Sequence, residues 1–171
     1  MIKKHLITTV IIGVAILFVS AAIYAKSAPD MIPLQDPAYE KHKKGVVDFS
    51  HKKHQDDYAK KYPEYYKNGC GECHHDKDNK PLSNLEEGDD VQKCIECHKI
   101  AAEIPKKDKQ ALKKDLKAKK ISKEELKSKI LEYHAEALHD NCRDCHKKYN
   151  KKYKPEKKAP TTCAKCHPKK K

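Results

Sequence analysis

Hydrophobic and polar positions divide this chain unevenly. After Lys3 and Lys4 comes an uncharged run of 20 residues, Leu6 to Ala25, that closes on Ile23-Tyr24-Ala25. A positive start, an apolar centre and small or permissive residues at the end predict a secretory signal peptide over residues 1–25. The run is also just long enough to span a bilayer, so a retained membrane anchor is the alternative. No positive cluster flanks its far end, which favours cleavage. Beyond Ala25 apolar residues are sparse. Residues 26–45 read as an N-terminal extension and 46–171 as one small domain. Within it, residues 101–133 predict two lysine-rich helices with a break near Lys120 to Ser122. Ser122 and Glu125 form a capping-box pattern there. Leu126, Ile130, Leu131 and Leu138 then make a loose apolar stripe on a helix that carries His134.

Composition sharpens the question. Without the first 25 residues, 146 remain, with 36 Lys+Arg against 25 Asp+Glu, a net charge of +11. Leu, Ile, Val and Phe together number 18 in that stretch. So few large apolar residues at so high a charge ordinarily mean a disordered chain. Either the exported chain is unfolded, or something other than side chains supplies its core.

Eight cysteines in an exported chain suggest a disulfide framework, but their spacing does not. They form the pairs Cys70/Cys73, Cys94/Cys97, Cys142/Cys145 and Cys163/Cys166, each followed at once by a histidine: His74, His98, His146 and His167. C-x-x-C-H is the attachment signature of c-type haem. Two cysteines about one turn apart reach both vinyl groups of one porphyrin, and the next residue then lies under the ring with its imidazole near the iron. Zinc sites, redox-active dithiols and structural disulfides also use C-x-x-C, yet none requires the histidine. With 11 histidines in 171 residues, four in four by chance is roughly 1 in 10⁵. Four porphyrins would also provide the missing core.

A six-coordinate haem needs a second axial ligand, usually His or Met. Beyond the first 25 residues the only methionine is Met31, whereas His42, His51, His54, His75, His134 and His139 remain beside the four motif histidines. That is six candidates for four places. His75 follows His74 directly and cannot easily approach the same ring from the opposite face, so it is free to reach a neighbouring haem. His51 and His54, at i and i+3, sit about 60° apart around a helix and suit two different haems. His139 lies three residues before Cys142. His134 reads as a packing or surface residue, and His42 as exposed.

At this point the chain resembles a known family. "FSHKKH" ahead of "CGECHH", the further C-x-x-C-H motifs and a histidine just before the third are similar to the tetrahaem class III cytochromes c (cytochrome c3 type), periplasmic electron carriers of sulfate- and metal-reducing bacteria. The resemblance covers roughly residues 45 to 100 and 134 to 167. It implies four haem c groups. The first is held by Cys70, Cys73 and His74 with His51 as distal ligand, the second by Cys94, Cys97 and His98 with His75. The third takes Cys142, Cys145 and His146 with His54, and the fourth Cys163, Cys166 and His167 with His139. Phe49, the only phenylalanine after Phe18, matches an aromatic between the first and third haems. Many members space the second and fourth cysteine pairs more widely, and residues 101–133 lengthen the link between the second and third motifs. The expected fold is mostly α with extensive loops, wrapped round four haems, with a short two-stranded sheet near Val46 to Phe49.

Eight propionates would take the net charge from +11 to about +3, while lysines still cluster in "KKYNKKYKPEKK" and "HPKKK" beside the fourth motif. Such a rim steers acidic redox partners. The resemblance implies hydrogenases, formate dehydrogenases or membrane multihaem complexes in anaerobic respiration. Export argues against nucleic acid, and membrane contact is expected only if the first segment is retained. The expectation is a periplasmic electron carrier with low-potential bis-histidine haems, and no enzyme, since filled irons leave no place for substrate. The alternative is a terminal reductase passing electrons to metal ions from exposed haem edges. A zinc-binding structural module comes third.

Overall fold

The structure, a computed structural model, describes residues 28–169; the signal peptide expected at 1–25 lies outside the described residues. Two compact units divide the chain. Of one, only Ala28 and residues 86–90 are described, the latter a turn in which the Glu86 N–H donates to Asp89 Oδ2 at 2.8 Å. The other comprises Pro29–Leu85 and Val91–Lys171 and holds every C-x-x-C-H motif.

It opens on a small antiparallel sheet. Strand β1 (Met31–Pro33) pairs with β2 (Asp48–Ser50), Ile32 opposite Phe49. The second strand falls where one was expected; its partner comes from the segment read as an extension. The chain then enters a π-helical stretch, Lys53–Tyr58, continued by a short turn α1 (Ala59–Lys61). A 3₁₀ turn at Gly69–Glu72 carries the first cysteine pair, and α2 (Cys94–Cys97) the second. Helices α3 (Lys106–Lys117) and α4 (Lys123–Leu131) follow, then α5 (His134–Tyr153), which contains the third motif, and α6 (Cys163–Cys166) with the fourth.

The two lysine-rich helices of 101–133 are present, and they break at residues 118–122 as the spacing predicts. Ser122 caps α4, its Oγ accepting the Glu125 N–H at 3.0 Å. Only half the box forms this way, because the Glu125 carboxylate turns to Lys129 at 3.6 Å. Replacing Ser122 by Ala is expected to cost about 1 kcal/mol, read from denaturant unfolding, with Ser122→Asp restoring most of it.

The apolar stripe does not run on one helix to Leu138. Residues 132–133 interrupt it, since the Ile100 N–H donates to the Glu132 carbonyl at 3.0 Å and the His134 N–H to the Ile100 carbonyl at 2.9 Å. A strand-like passage of residue 100 thus takes hydrogen-bonding capacity that a continuous helix would use itself. α5 ends at Lys154 in the left-handed region (φ 44°), and Pro155 stops it from resuming.

Apart from Gly71, which has no side chain, only Ile104 (6% exposed) and His134 (8%) are buried among the described residues. Both sit where residues 100–104 run beside the start of α5. The Tyr39 hydroxyl shares a hydrogen bond with His134 Nδ1 at 3.0 Å, and Tyr39 stacks on His42 at 5.2 Å and 17°. His134 is therefore a packed residue, as the sequence suggests, and His42 is half-covered rather than exposed. A chain of this size would normally bury far more apolar side chains. Its secondary structure instead frames four histidine-centred clusters.

Candidate functional site

Each C-x-x-C-H motif lies on a single turn, so its two thiols share one side and the histidine follows beneath. The tertiary fold then brings a second histidine to every one of them. Ring centroids are 6.4 Å apart for His51 and His74, 6.2 Å for His54 and His146, 6.0 Å for His75 and His98, and 6.4 Å for His139 and His167. These distances carry chemical meaning. Two imidazoles bonded to one metal from opposite sides, at about 2 Å each, hold their centroids roughly 6 Å apart.

The backbone sets the orientation of most of these rings. Nδ1 donates to a main-chain carbonyl in His54 (Ser50, 2.8 Å), His75 (Asp76, 2.8 Å), His98 (Leu131, 2.5 Å), His146 (Pro160, 2.8 Å) and His167 (Gly45, 2.8 Å). A carbonyl only accepts, so in each case the proton sits on Nδ1 and Nε2 keeps a lone pair for a metal. Burial pushes His54, His74 and His139 below the usual imidazole range, which again favours the neutral, ligating form.

Local geometry explains how neighbours in sequence serve different clusters. His51 stands just before the π-helical stretch and His54 within it; its wide turns spread two rings that an α turn would hold closer. Phe49 lies against both, 6.0 Å from His51 and 4.7 Å from His54, between the first and third pairs. His74 and His75 likewise point to His51 and His98 respectively.

Glycines let two motifs close. A Cβ on Gly71 would come within 2.9 Å of Pro81 Cβ and 3.0 Å of the Leu82 nitrogen. The Leu82 N–H donates to the His74 carbonyl at 2.9 Å, pinning the first motif to that loop. A Cβ on Gly45 would meet the Pro168 carbonyl oxygen at 2.3 Å, directly beside His167.

The competing uses of C-x-x-C fare less well. All eight cysteines are free thiols. Among the described residues, no three His, Cys, Asp or Glu side chains converge as a metal-holding group, so the cysteine pairs do not meet in zinc-like sets. Burial raises the Cys73 thiol to about 12 and the Cys142 thiol to about 11, the reverse of a reactive dithiol. Two thiols per cluster, with Nε2 left free on both rings of the second and third pairs and on His167 of the fourth, fit a haem c with two imidazole ligands.

Sequence reading did not find the tyrosines. Tyr62, Tyr149 and Tyr153 pack with centroids 5.0 to 5.3 Å apart, and the Tyr62 and Tyr149 hydroxyls meet at 3.1 Å. Glu64 accepts from Lys152 and from the Tyr153 hydroxyl, and these partners hold its carboxyl down at about 2. Tyr149 and Tyr153 at i, i+4 on one helix were the available signal. Tyr58 stands edge-on to His54 at 5.1 Å, and its carbonyl accepts the Tyr62 N–H at 2.8 Å.

A search of curated proteins and one of solved structures each returned no match. Among known families, residues 29–167 match the class III cytochrome c family. That span takes in all four motifs, all four histidine pairs and the first strand. With four C-x-x-C-H turns, each facing a second imidazole at metal-spanning distance, the chain belongs to the class III cytochrome c family, whose members bind haem c and transfer electrons.

Proposed function

We propose that this chain is a tetrahaem electron carrier of the periplasm. The single observation that carries the reading is the set of four imidazole pairs at 6.0 to 6.4 Å, each beside one cysteine pair. In it, Cys70, Cys73, Cys94, Cys97, Cys142, Cys145, Cys163 and Cys166 form the thioethers. The imidazoles that bind iron would come from His74 and His51 at the first haem, His98 and His75 at the second, His146 and His54 at the third, and His167 and His139 at the fourth. When bound, haem would supply one-electron redox chemistry at iron.

The residues do the rest. Main-chain carbonyls of Ser50, Asp76, Leu131, Pro160 and Gly45 hold five of the eight rings in place. They thereby keep ligand geometry the same in both oxidation states and raise ligand basicity. Imidazole in place of methionine favours a low potential. His74 and His75, joined by one peptide bond, tie the first and second centres together. His51, His54 and Phe49 do the same for the first and third.

Partners are read from charge. Lys147, Lys148, Lys151, Lys152, Lys157 and Lys158 crowd the chain between the third and fourth motifs, which suits acidic redox proteins of the hydrogenase or formate dehydrogenase class, or membrane multihaem complexes. Association should slow steeply as salt rises. Cys73, Cys94, Cys97 and Cys163 are exposed residues, so haem edges there would meet solvent, and delivery of electrons to dissolved metal ions is the second reading. A second imidazole at every cluster favours the carrier, because no iron is left open to substrate. No helix among the described residues is long and apolar enough to cross a membrane.

The test is intact mass with a reductive spectral titration on protein made with haem-maturation machinery. Four covalent haems, low-spin in both states and unmoved by carbon monoxide, are expected. Fewer haems, or a high-spin fraction that binds carbon monoxide, would overturn the closed-carrier reading.

A further inference from the structure

Arg143 is the chain's only arginine among 38 basic residues, and it stands inside the third motif, between Cys142 and Cys145. Its Nε is buried and has no hydrogen-bond partner among the described residues. That is unusual for a guanidinium, whose planar fork of donors is seldom left unpaired out of water.

Carboxylates are close at hand, yet lysines have taken them. On α5, Glu136 pairs with Lys109 at 2.9 Å, Asp140 with Lys127 at 3.1 Å, and Asp144 with Lys147 at 3.0 Å. Off that helix, Glu103 pairs with Lys44 at 3.2 Å, and the same Lys44 Nζ reaches Cys163 Sγ at 3.4 Å. None of these ion pairs includes Arg143, whose guanidinium makes no ion pair among the described residues.

The direction of that charge is the informative point. Arg143 follows His139 by four residues, which puts both on one face of α5, and His139 faces His167. The guanidinium lies within electrostatic reach of His139 and Cys166 of the fourth cluster, and also of Asp144 beside it in the chain. The cation acting on Cys145, in its own motif, is Lys148 instead.

Resting on the tetrahaem reading, we propose that Arg143 belongs to the third motif by sequence but serves the fourth haem, as a positioning residue that holds its reduction potential up. Reduction adds one electron from an external one-electron donor and lowers the charge of the site by one. A fixed cation nearby favours that change. An unpaired guanidinium also takes a carboxylate by preference, and each haem carries two propionates; neutralising one acts in the same direction. Arg143 therefore counteracts, at the fourth centre alone, the low potential that two imidazoles impose.

The experiment follows each haem through a reductive titration of the holoprotein by paramagnetic NMR, with dithionite as donor, in Arg143→Gln and Arg143→Lys. Arg143→Gln should shift the reduction equilibrium of the fourth haem about tenfold towards the oxidised form, or about 59 mV for one electron. The other three should move less than about twofold, and Arg143→Lys should restore most of the shift. Loss of one haem from Arg143→Gln but not from Arg143→Lys, mapped by peptide mass to Cys163 and Cys166, would support the same role. An unchanged fourth haem, or a shift confined to the third, would overturn it while leaving the tetrahaem reading intact. Wild-type protein with fewer than four bis-histidine haems would overturn both.

Discussion

Replacing His75 by Met is expected, on the tetrahaem reading, to raise the reduction potential of the second haem alone by about 100 mV or more, since methionine opposite histidine raises the potential of a c-type iron. On the one-electron scale of 59 mV per tenfold this exceeds a tenfold change in the reduction equilibrium. His75 faces His98 at 6.0 Å with its Nδ1 fixed on the Asp76 carbonyl, so the altered ligand should act on the haem attached at Cys94 and Cys97. The first haem, bound through adjacent His74, should barely move, because His74 and His75 address different clusters. A haem-resolved titration reads the result. A shift confined to the first haem would sink the link between centres assigned to His75.

The second large effect concerns a residue with no side chain. In Gly45→Ala the new Cβ would press on the Pro168 carbonyl oxygen at 2.3 Å and Pro168 Cγ at 2.9 Å, contacts that backbone atoms cannot relieve by rotating. The carbonyl of Gly45 is also the acceptor for His167 Nδ1, so the displaced segment carries a ligand ring with it. A destabilisation of about 2 kcal/mol is expected, within the range for overpacking, seen as a lower guanidinium midpoint of the holoprotein. One of the four haems, the fourth, should also gain a high-spin, carbon monoxide-binding fraction. Gly69→Ala is the control. That glycine has φ +56° but nothing within 4 Å of an added Cβ, so only backbone strain of about 1 kcal/mol applies, with no effect on ligation. An unchanged midpoint in Gly45→Ala, or a carbon monoxide-binding haem in the control, would contradict this view of the fourth site.

Gly45 and Arg143 also show where a sequence reading runs out. Gly45 sits 122 residues from His167, and no local pattern announces that its backbone must lie against Pro168. Arg143 reads naturally as filler between two cysteines, and only the pairing of Glu136, Asp140 and Asp144 with lysines, beside its own unpartnered Nε, leaves it exceptional. The break of the apolar stripe at residues 132–133 has the same origin, because the competing hydrogen bonds come from Ile100. Such features depend on what a distant segment presents, and a one-dimensional pattern holds no record of it.

What the sequence determined by itself is everything that rests on short-range covalent and helical geometry. Four cysteine pairs with a following histidine must each fall on one turn, whatever the fold, and so the cofactor class was legible from the motif alone. The cap at Ser122, the two lysine-rich helices and the divergence of His51 from His54 were legible for the same reason, since each depends on residues within one or two turns. Spacing alone left six histidines for four places, and resemblance supplied the pairing that the four ring distances now match in geometry. The tertiary structure decided which imidazole meets which and which carbonyls hold them. It also packed the tyrosines together and left the Arg143 Nε buried without a partner. Those are choices among long-range contacts, made by the way the chain closes around its four histidine clusters when it buries almost no side chains of its own.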